Sequence, residues 1–219
     1  MKEKIFVNVA SSTYVLEGFV NLENSIYISM GLIFRLFRFF IPTKYLAESD
    51  KFLEAKKIAP LQNHNCLKPL PFEKHSVDHI LCSHFLEHVY PNEVDIILKD
   101  YLRVLKPSGT LHVILPDIEY QVQQYLKNKQ EGNLSAADEF IFNTFLSKES
   151  SIKTIKMKLL DLTSKSSGLS HHWMYDKESM SQILINANFT ILPINNTPSK
   201  LFRKENDVSL HLVCQANTT

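Results

Sequence analysis

The spacing of apolar and polar positions changes along the chain, and each change marks an element. Lys4–Ala10 (KIFVNVA) is a short apolar run of strand length; a loop over Ser11–Glu17 and a second strand, Gly18–Glu23, follow. From about 26 to 55 the pattern becomes helical. Gly31–Ile41 (GLIFRLFRFFI) is dense in apolar and aromatic residues, with Arg35 and Arg38 on one face of the expected helix. Pro42 ends it, and Lys44–Lys56 reads as a second, more polar helix. Lys57–Leu61 reads as a third strand, with Gln62-Asn63-His64-Asn65 beyond it. The strongest pattern lies between Leu70 and Asp117. A strand over Val77–Cys82 ends on Ser83-His84, and a short polar helix leads to a long helix opening at Pro91, where a fixed φ suits the first helical position. Glu93 and Asp95 complement the positive helix end, and Val94, Ile97, Leu98, Tyr101, Leu102 and Leu105 form one apolar face. Lys106-Pro107-Ser108-Gly109 makes a turn, with glycine permitting it, and Thr110–Leu115 is the next strand. Strand, helix, strand implies a parallel pair with a right-handed crossover.

Beyond Asp117 the spacing predicts helices over Asp117–Lys129, Ser135–Ser147 and Glu149–Leu162, then a polar segment, Thr163–Gly168. Asp176 caps a further helix whose Met180, Ile183, Leu184 and Ala187 face inward, and Asn188 takes the place of the usual terminal glycine. Phe189–Ile194 and Val208–Gln215 read as an antiparallel hairpin at the sheet edge. The 219 residues suit one α/β domain, 1–219, with a helical insertion at about 26–55. A net charge of +1 and a pI near 7.7 leave no basic footprint, so no nucleic-acid partner is expected. Cys66, Cys82 and Cys214 form no CxxC pair, which fits a reducing, cytoplasmic compartment. The apolar start, Ile5–Ala10, is too short for a signal peptide, and 31–41 is too short to span a bilayer, which takes ~20 residues. That segment reads as a packed helix, a lid over a site, or an interfacial membrane contact. The oligomeric state is not written in the sequence.

The Leu70–Asp117 stretch, LPFEKHSVDHILCSHFLEHVYPNEVDIILKDYLRVLKPSGTLHVILPD, resembles the second half of a class I S-adenosylmethionine-dependent methyltransferase. It is similar to the small bacterial type-11-like group that pairs a "SSHxLEH" strand end with "RVLKPGG". His171-His172-Trp173-Met174-Tyr175-Asp176 and Ser209–Ala216 agree with the same group. The resemblance implies a Rossmann-like sheet of about seven strands, the last antiparallel, with helices on both faces and ligands at the carboxyl ends of the strands. The implied cofactor is S-adenosylmethionine. In the family the first loop reads "NxGCG", five residues, "GWxNxD"; here it is Asn8, Val9, Ala10-Ser11-Ser12, then Gly18 to Glu23. Ala10 and Ser12 replace two glycines, whose use is close approach of backbone to ligand and access to positive φ. By the resemblance Ala10, Ser11 and Ser12 border the cofactor. Glu23 is placed to accept the ribose hydroxyls, or else is a solvated carboxylate at a strand end. Asn65 stands where relatives carry an acidic residue meeting the adenine amino group; its carbonyl oxygen could accept that bond, or it is a turn asparagine. Ser83 also borders the cofactor.

Methyl transfer is an in-line displacement from a sulfonium, in which the protein supplies binding, orientation and exclusion of water. A base is needed when the acceptor is a hydroxyl, and His84, Asp117 and His171 are the candidates. His171 matches the histidine of the family's "HxWMYD", while His172 fits a packed aromatic corner. The resemblance implies a small-molecule or glycan acceptor, through a hydroxyl. The rival is a catalytically inactive domain that has lost the glycine loop and serves as a binding module. His84, Glu87 and His88 also fit the H-x-x-E-H pattern of inverted zinc proteases, with a further ligand from downstream such as Glu139 or Glu149. Inside the longer resemblance those letters are ordinary, and no metal is expected.

Overall fold

The computed structural model describes residues 3–146, 170–193 and 208–217. The strands are β1 (Phe6–Val9), β2 (Phe19–Glu23), β3 (Leu61–Asn63), β4 (Val77–Ser83), β5 (Leu105–Pro116), β6 (Phe189–Leu192) and β7 (Ser209–Ala216). The helices described are α1 (Ile26–Leu36), α2 (Thr43–Ile58), α3 (Pro91–Val104), α4 (Ile118–Gln130), α5 (Ala136–Asn143) and α6 (Lys177–Asn186). One seven-stranded sheet runs β3-β2-β1-β4-β5-β7-β6, parallel through β5, with β7 antiparallel to both of its neighbours. This is the Rossmann-like architecture that the resemblance implies.

The main core fills the space between one sheet face and the helices α3 and α6. Val7, Val9, Ile80, Cys82, Leu111 and Val113 meet Val94, Leu98, Tyr101, Met180 and Leu184 there. The helical period read from 94 to 105 therefore does bury one face of α3. Between β2 and β3, α1 and α2 build a smaller core of their own, in which Tyr27 stacks on Phe52 at 5.8 Å and meets Phe34 edge-on at 5.5 Å. Gly31 lets the two helices close: a Cβ there would lie 3.3 Å from both Leu53 Cδ2 and Ser49 Oγ. The other side of this unit stays apolar and exposed, with Leu32 at 72% and Phe39 at 85%. Among the described residues no helix is long and apolar enough to cross a membrane.

Prolines move several boundaries. The helix expected over Gly31–Ile41 begins at Ile26 and stops at Leu36, and Arg38–Phe40 is a separate 3-10 turn, so Arg35 and Arg38 do not share one helix face. Ile41 precedes Pro42 and is extended, as the proline ring requires of its neighbour. Likewise Ala59 is extended before Pro60; α2 runs on to Ile58, and the third strand is Leu61–Asn63 rather than Lys57–Leu61. At the other turn, Val77 pairs with Leu105 and His79 with Thr110, so Lys106–Gly109 bulges out of a continuous β5. The left-handed residue there is Ser108 (φ 65), while Gly109 serves close approach, since a Cβ would sit 2.9 Å from the Lys106 carbonyl oxygen. The helix expected over Ser135–Ser147 is the shorter α5. The expectations for Glu149–Leu162 and Thr163–Gly168 lie outside the described residues. Asn188 is left-handed (φ 63) in the glycine-like place expected of it.

One connection departs from the usual rule. Parallel strands ordinarily need a crossover of about a dozen residues or more, commonly a helix. β1 and β2 are joined by residues 10–18 without one. Two buried asparagines satisfy this short path. Asn21 Nδ2 donates to the carbonyls of Leu16 (3.1 Å), Phe19 (3.2 Å) and Pro60 (3.1 Å), and its Oδ1 accepts from the Leu16 N–H at 2.9 Å. Asn8 Nδ2 donates to Asn21 Oδ1 (3.0 Å) and to the Tyr14 carbonyl (2.8 Å).

Candidate active site

The strand register brings the candidate residues to one level. Val9 pairs with Leu22 on one side and Cys82 on the other, so Ala10, Glu23 and Ser83 leave β1, β2 and β4 together. Open α/β sheets bind ligands at such carboxyl ends, beside the strand where the order reverses.

The loop after β1 keeps the backbone path of the glycines it lacks. Ala10 (φ 51) and Ser12 (φ 50) are both left-handed, a conformation that costs a residue with a Cβ about 1 kcal/mol or more. Hydrogen bonds hold it: Ser11 N–H to the Leu22 carbonyl (2.9 Å), Tyr14 N–H to the Ser11 carbonyl (2.9 Å) and Ser12 N–H to Glu23 Oε2 (2.8 Å). Ser11 is buried and Ser12 exposed. Burial pushes the Glu23 carboxyl above the usual range, opposed by the N–H groups of Ser12 and Asn24. Buried Cys66 lies beside Ala10 and Glu23; burial pushes its thiol up to about 12. His64 N–H donates to the Glu23 carbonyl at 3.0 Å, so the turn after β3 abuts the same point. Within that turn Asn65 Oδ1 accepts the Leu67 N–H (3.1 Å) and its carbonyl accepts the Lys68 N–H (2.8 Å). The amide oxygen expected to meet an adenine is thus engaged in an Asx turn.

The second half of the site gathers around a residue the sequence pattern left ordinary. His84 leaves β4 left-handed (φ 50), with its N–H on the Ile114 carbonyl at 2.9 Å, and the chain turns through the 3-10 segment Leu86–His88. That turn buries Glu87 completely. The Glu87 carbonyl accepts the N–H groups of His172 (2.7 Å) and Trp173 (3.2 Å), joining the end of β4 to the segment before α6. Its Oε1 lies 3.2 Å from His84 Nδ1 and 4.0 Å from His171 Nε2. Glu87 Oε2 and Tyr175 Oη, both buried, have no hydrogen-bond partner among the described residues. Burial, then the charge of Glu87, pushes the Tyr175 hydroxyl up to about 12. Burial holds the His171 imidazole below its ordinary value, with Glu87 opposing.

His84 and His171 are therefore brought together, on either side of Glu87. The His84 side chain is 33% exposed and that of His171 only 7%. Asp117 is engaged at the start of α4: its Oδ1 accepts the Glu119 N–H at 2.9 Å and caps that helix, while its backbone bridges to Tyr175. His172 stacks on Tyr90 at 4.5 Å, the packed corner expected of it. The inverted-protease arrangement is not assembled: His88 ends the 3-10 turn Leu86–His88 and His84 precedes it in left-handed backbone, so the two do not share one face of an α-helix. Glu139 is also occupied, by Asn128 and Asn133 at 3.0 Å each. Glu149 lies outside the described residues. Tyr175 and Cys66 were not singled out by the spacing, and Glu87 was noted only within the H-x-x-E-H pattern. The available signal was a carboxylate inside the otherwise apolar F-L-E-H-V.

Comparison with known proteins follows the same line. The methyltransferase domain family matches residues 41–113, from the start of α2 into β5. Among curated proteins none matches the chain. A protein of known structure from Pyrococcus horikoshii aligns with 99% of this chain and 83% of its own at 15% identity and a TM-score of 0.55. An S-adenosylmethionine-dependent methyltransferase from Methanosarcina mazei covers 99% and 94% at 13% identity and a TM-score of 0.51. One from Thermotoga maritima, described as a possible histamine N-methyltransferase, covers 99% and 84% at 14% identity and a TM-score of 0.51. These structures share the class I methyltransferase fold, and the methyltransferase domain family model matches about a third of the chain, residues 41–113.

Proposed function

We propose that this domain binds S-adenosylmethionine across the carboxyl ends of β1, β2 and β4 and directs its methyl group to a hydroxyl of a small molecule or glycan. The support for the binding half is the common level of Ala10, Glu23 and Ser83, with a glycine-shaped backbone kept at Ala10 and Ser12. Glu23 is the acceptor for ribose hydroxyls, and the loop 10–12 lies against the amino-acid end.

The cofactor supplies a methyl group on a sulfonium, and the chain's residues do the rest. His84 is favoured as the base because it is the more exposed imidazole and Glu87 Oε1 fixes its Nδ1 at 3.2 Å. A base oriented by a carboxylate behind it is the recurrent arrangement for taking a hydroxyl proton. His171, its side chain only 7% exposed, acts through Glu87 as a positioning residue. Asp117 is assigned to the α4 cap rather than to proton transfer.

A second reading, a retained fold that binds without catalysis, is favoured by one observation: the Ser12 N–H and Glu23 Oε2 satisfy each other at 2.8 Å. Methyl transfer from labelled cofactor to a panel of hydroxyl-bearing metabolites and glycans separates the two. An accepted substrate whose turnover falls about 100-fold or more in His84→Ala supports the enzyme with this base. Transfer unaffected by His84→Ala would remove the base assignment, and cofactor binding without transfer to any acceptor would favour the binding module.

A further inference from the structure

We propose that Glu87, His88 and His171 hold a divalent transition-metal ion of the Zn²⁺ type at the acceptor end of the site. One ligand atom from each of the three lies within 4.8 Å of the others. Bonds of about 2.1 Å in a tetrahedral site set ligand atoms roughly 3.4 Å apart, so the three need draw in only modestly.

Three further observations point to an ion rather than to chance proximity. Glu87 is fully buried, and among the described residues its Oε2 has no hydrogen-bond partner and no lysine or arginine pairs with it. The basic side chains that face it are the imidazoles of His84 and His171; a buried carboxylate without a permanent countercharge is costly by several kcal/mol, and a bound cation removes that cost. The buried Tyr175 Oη also has no hydrogen-bond partner among the described residues and lies close enough to feel the Glu87 charge. Finally, His88 Nδ1 lies 3.1 Å from the Ser170 carbonyl, which can only accept; the proton is therefore on Nδ1 and the lone pair on Nε2. A histidine fixed in this way by a backbone carbonyl is the usual outer support of a metal ligand.

The donor set decides the class of ion. Two imidazoles and one carboxylate suit Zn²⁺ and its neighbours and leave a position open, whereas Mg²⁺ and Ca²⁺ require oxygen ligands. The bonds from His172 and Trp173 N–H to the Glu87 carbonyl lock the two ligand-bearing segments together. Resting on the proposed function, the open position is where an acceptor hydroxyl would coordinate and lose pKa, as water does on Zn²⁺. The O–H bond then breaks with its proton passing to His84. The oxygen–methyl bond forms as the carbon–sulfur bond breaks, its electron pair remaining on sulfur.

The test is calorimetric titration of the chelator-treated full chain with ZnCl₂, and separately MgCl₂, in the absence of cofactor. One equivalent of Zn²⁺ binding at micromolar or tighter affinity is expected, with no Mg²⁺ signal. Glu87→Gln, which keeps the side-chain shape, and His171→Ala are each expected to weaken Zn²⁺ by about 100-fold. Circular dichroism reports whether each variant folds, and Co²⁺ absorption in the wild type reads the geometry directly. No saturable Zn²⁺ binding by folded protein, or binding unchanged in both variants, would overturn the site; equal Mg²⁺ affinity would overturn the assigned class. Cofactor titration of the same samples keeps the two claims apart, since loss of the metal site leaves cofactor binding to be read independently.

Discussion

The backbone N–H of Ser12 donates to Glu23 Oε2 at 2.8 Å, tying the loop after β1 to the end of β2. One carboxylate therefore shapes the loop at the position to which the proposed function assigns the ribose hydroxyls. Removing it in Glu23→Ala is expected to speed amide exchange across residues 10–14 while leaving β4 and β5 protected. Hydrogen-exchange mass spectrometry checks this, and unchanged exchange in the loop would show that the bond does not hold it.

Ala10 and Ser12 occupy left-handed backbone that favours glycine. Ala10→Gly and Ser12→Gly each relieve strain of about 1 kcal/mol, partly offset by the greater freedom of glycine in the unfolded chain. Each is expected to be neutral to mildly stabilising in urea titration, with cofactor affinity rising as the two Cβ atoms are removed. A loss above about 1 kcal/mol would mean that the methyl or hydroxymethyl group packs usefully.

Asn21 satisfies the short crossover between β1 and β2 through bonds to Leu16, Phe19, Pro60 and Asn8. Asn21→Leu leaves several buried polar groups unpaired, at about 1–3 kcal/mol each. The expected loss is roughly 3 kcal/mol or more in denaturant titration. Asn21→Asp is also expected to destabilise, since a carboxylate cannot donate to three carbonyls.

What was legible in the sequence follows from what each residue type reports. The path Val77 to Leu115 shows itself because an apolar face at helical spacing, Pro91 at its start and a Pro-Ser-Gly turn all agree. Boundaries at Ile41 and Ala59 shift because a proline acts on the residue before it, beyond what the apolar pattern records. The burial of Glu87, Asn8 and Asn21 was hidden for a common reason: a polar letter reads as exposed. Their burial comes from partners the local pattern does not contain, the 170–175 segment for Glu87 and an unusually short crossover for the asparagines. His84 and His171 were visible through a motif, but that Glu87 joins them was visible only in three dimensions.

His79 gives the fold a dependence on acid. Its imidazole is buried on the sheet, with Nδ1 on Thr110 Oγ1 at 2.7 Å, and burial, reinforced by His112, lowers its pKa to about 3. Because the folded value lies below the unfolded one, near 6.5, the unfolded chain binds the extra proton as pH falls. The stability of keeping it neutral is complete above about pH 6.5 and is lost toward pH 3 at about 1.4 kcal/mol per unit. Denaturant titrations between pH 7 and 5 are expected to show this slope, reduced in His79→Gln. Equal slopes in both proteins would place the acid sensitivity elsewhere.

The most direct measurement is calorimetric titration of the folded wild-type chain and Glu23→Ala with S-adenosylmethionine and S-adenosylhomocysteine. The expected result is saturable binding of both ligands in the micromolar range by the wild type, lost in the variant. No heat at millimolar ligand from protein shown to be folded would contradict the cofactor assignment and leave a methyltransferase fold that binds something else.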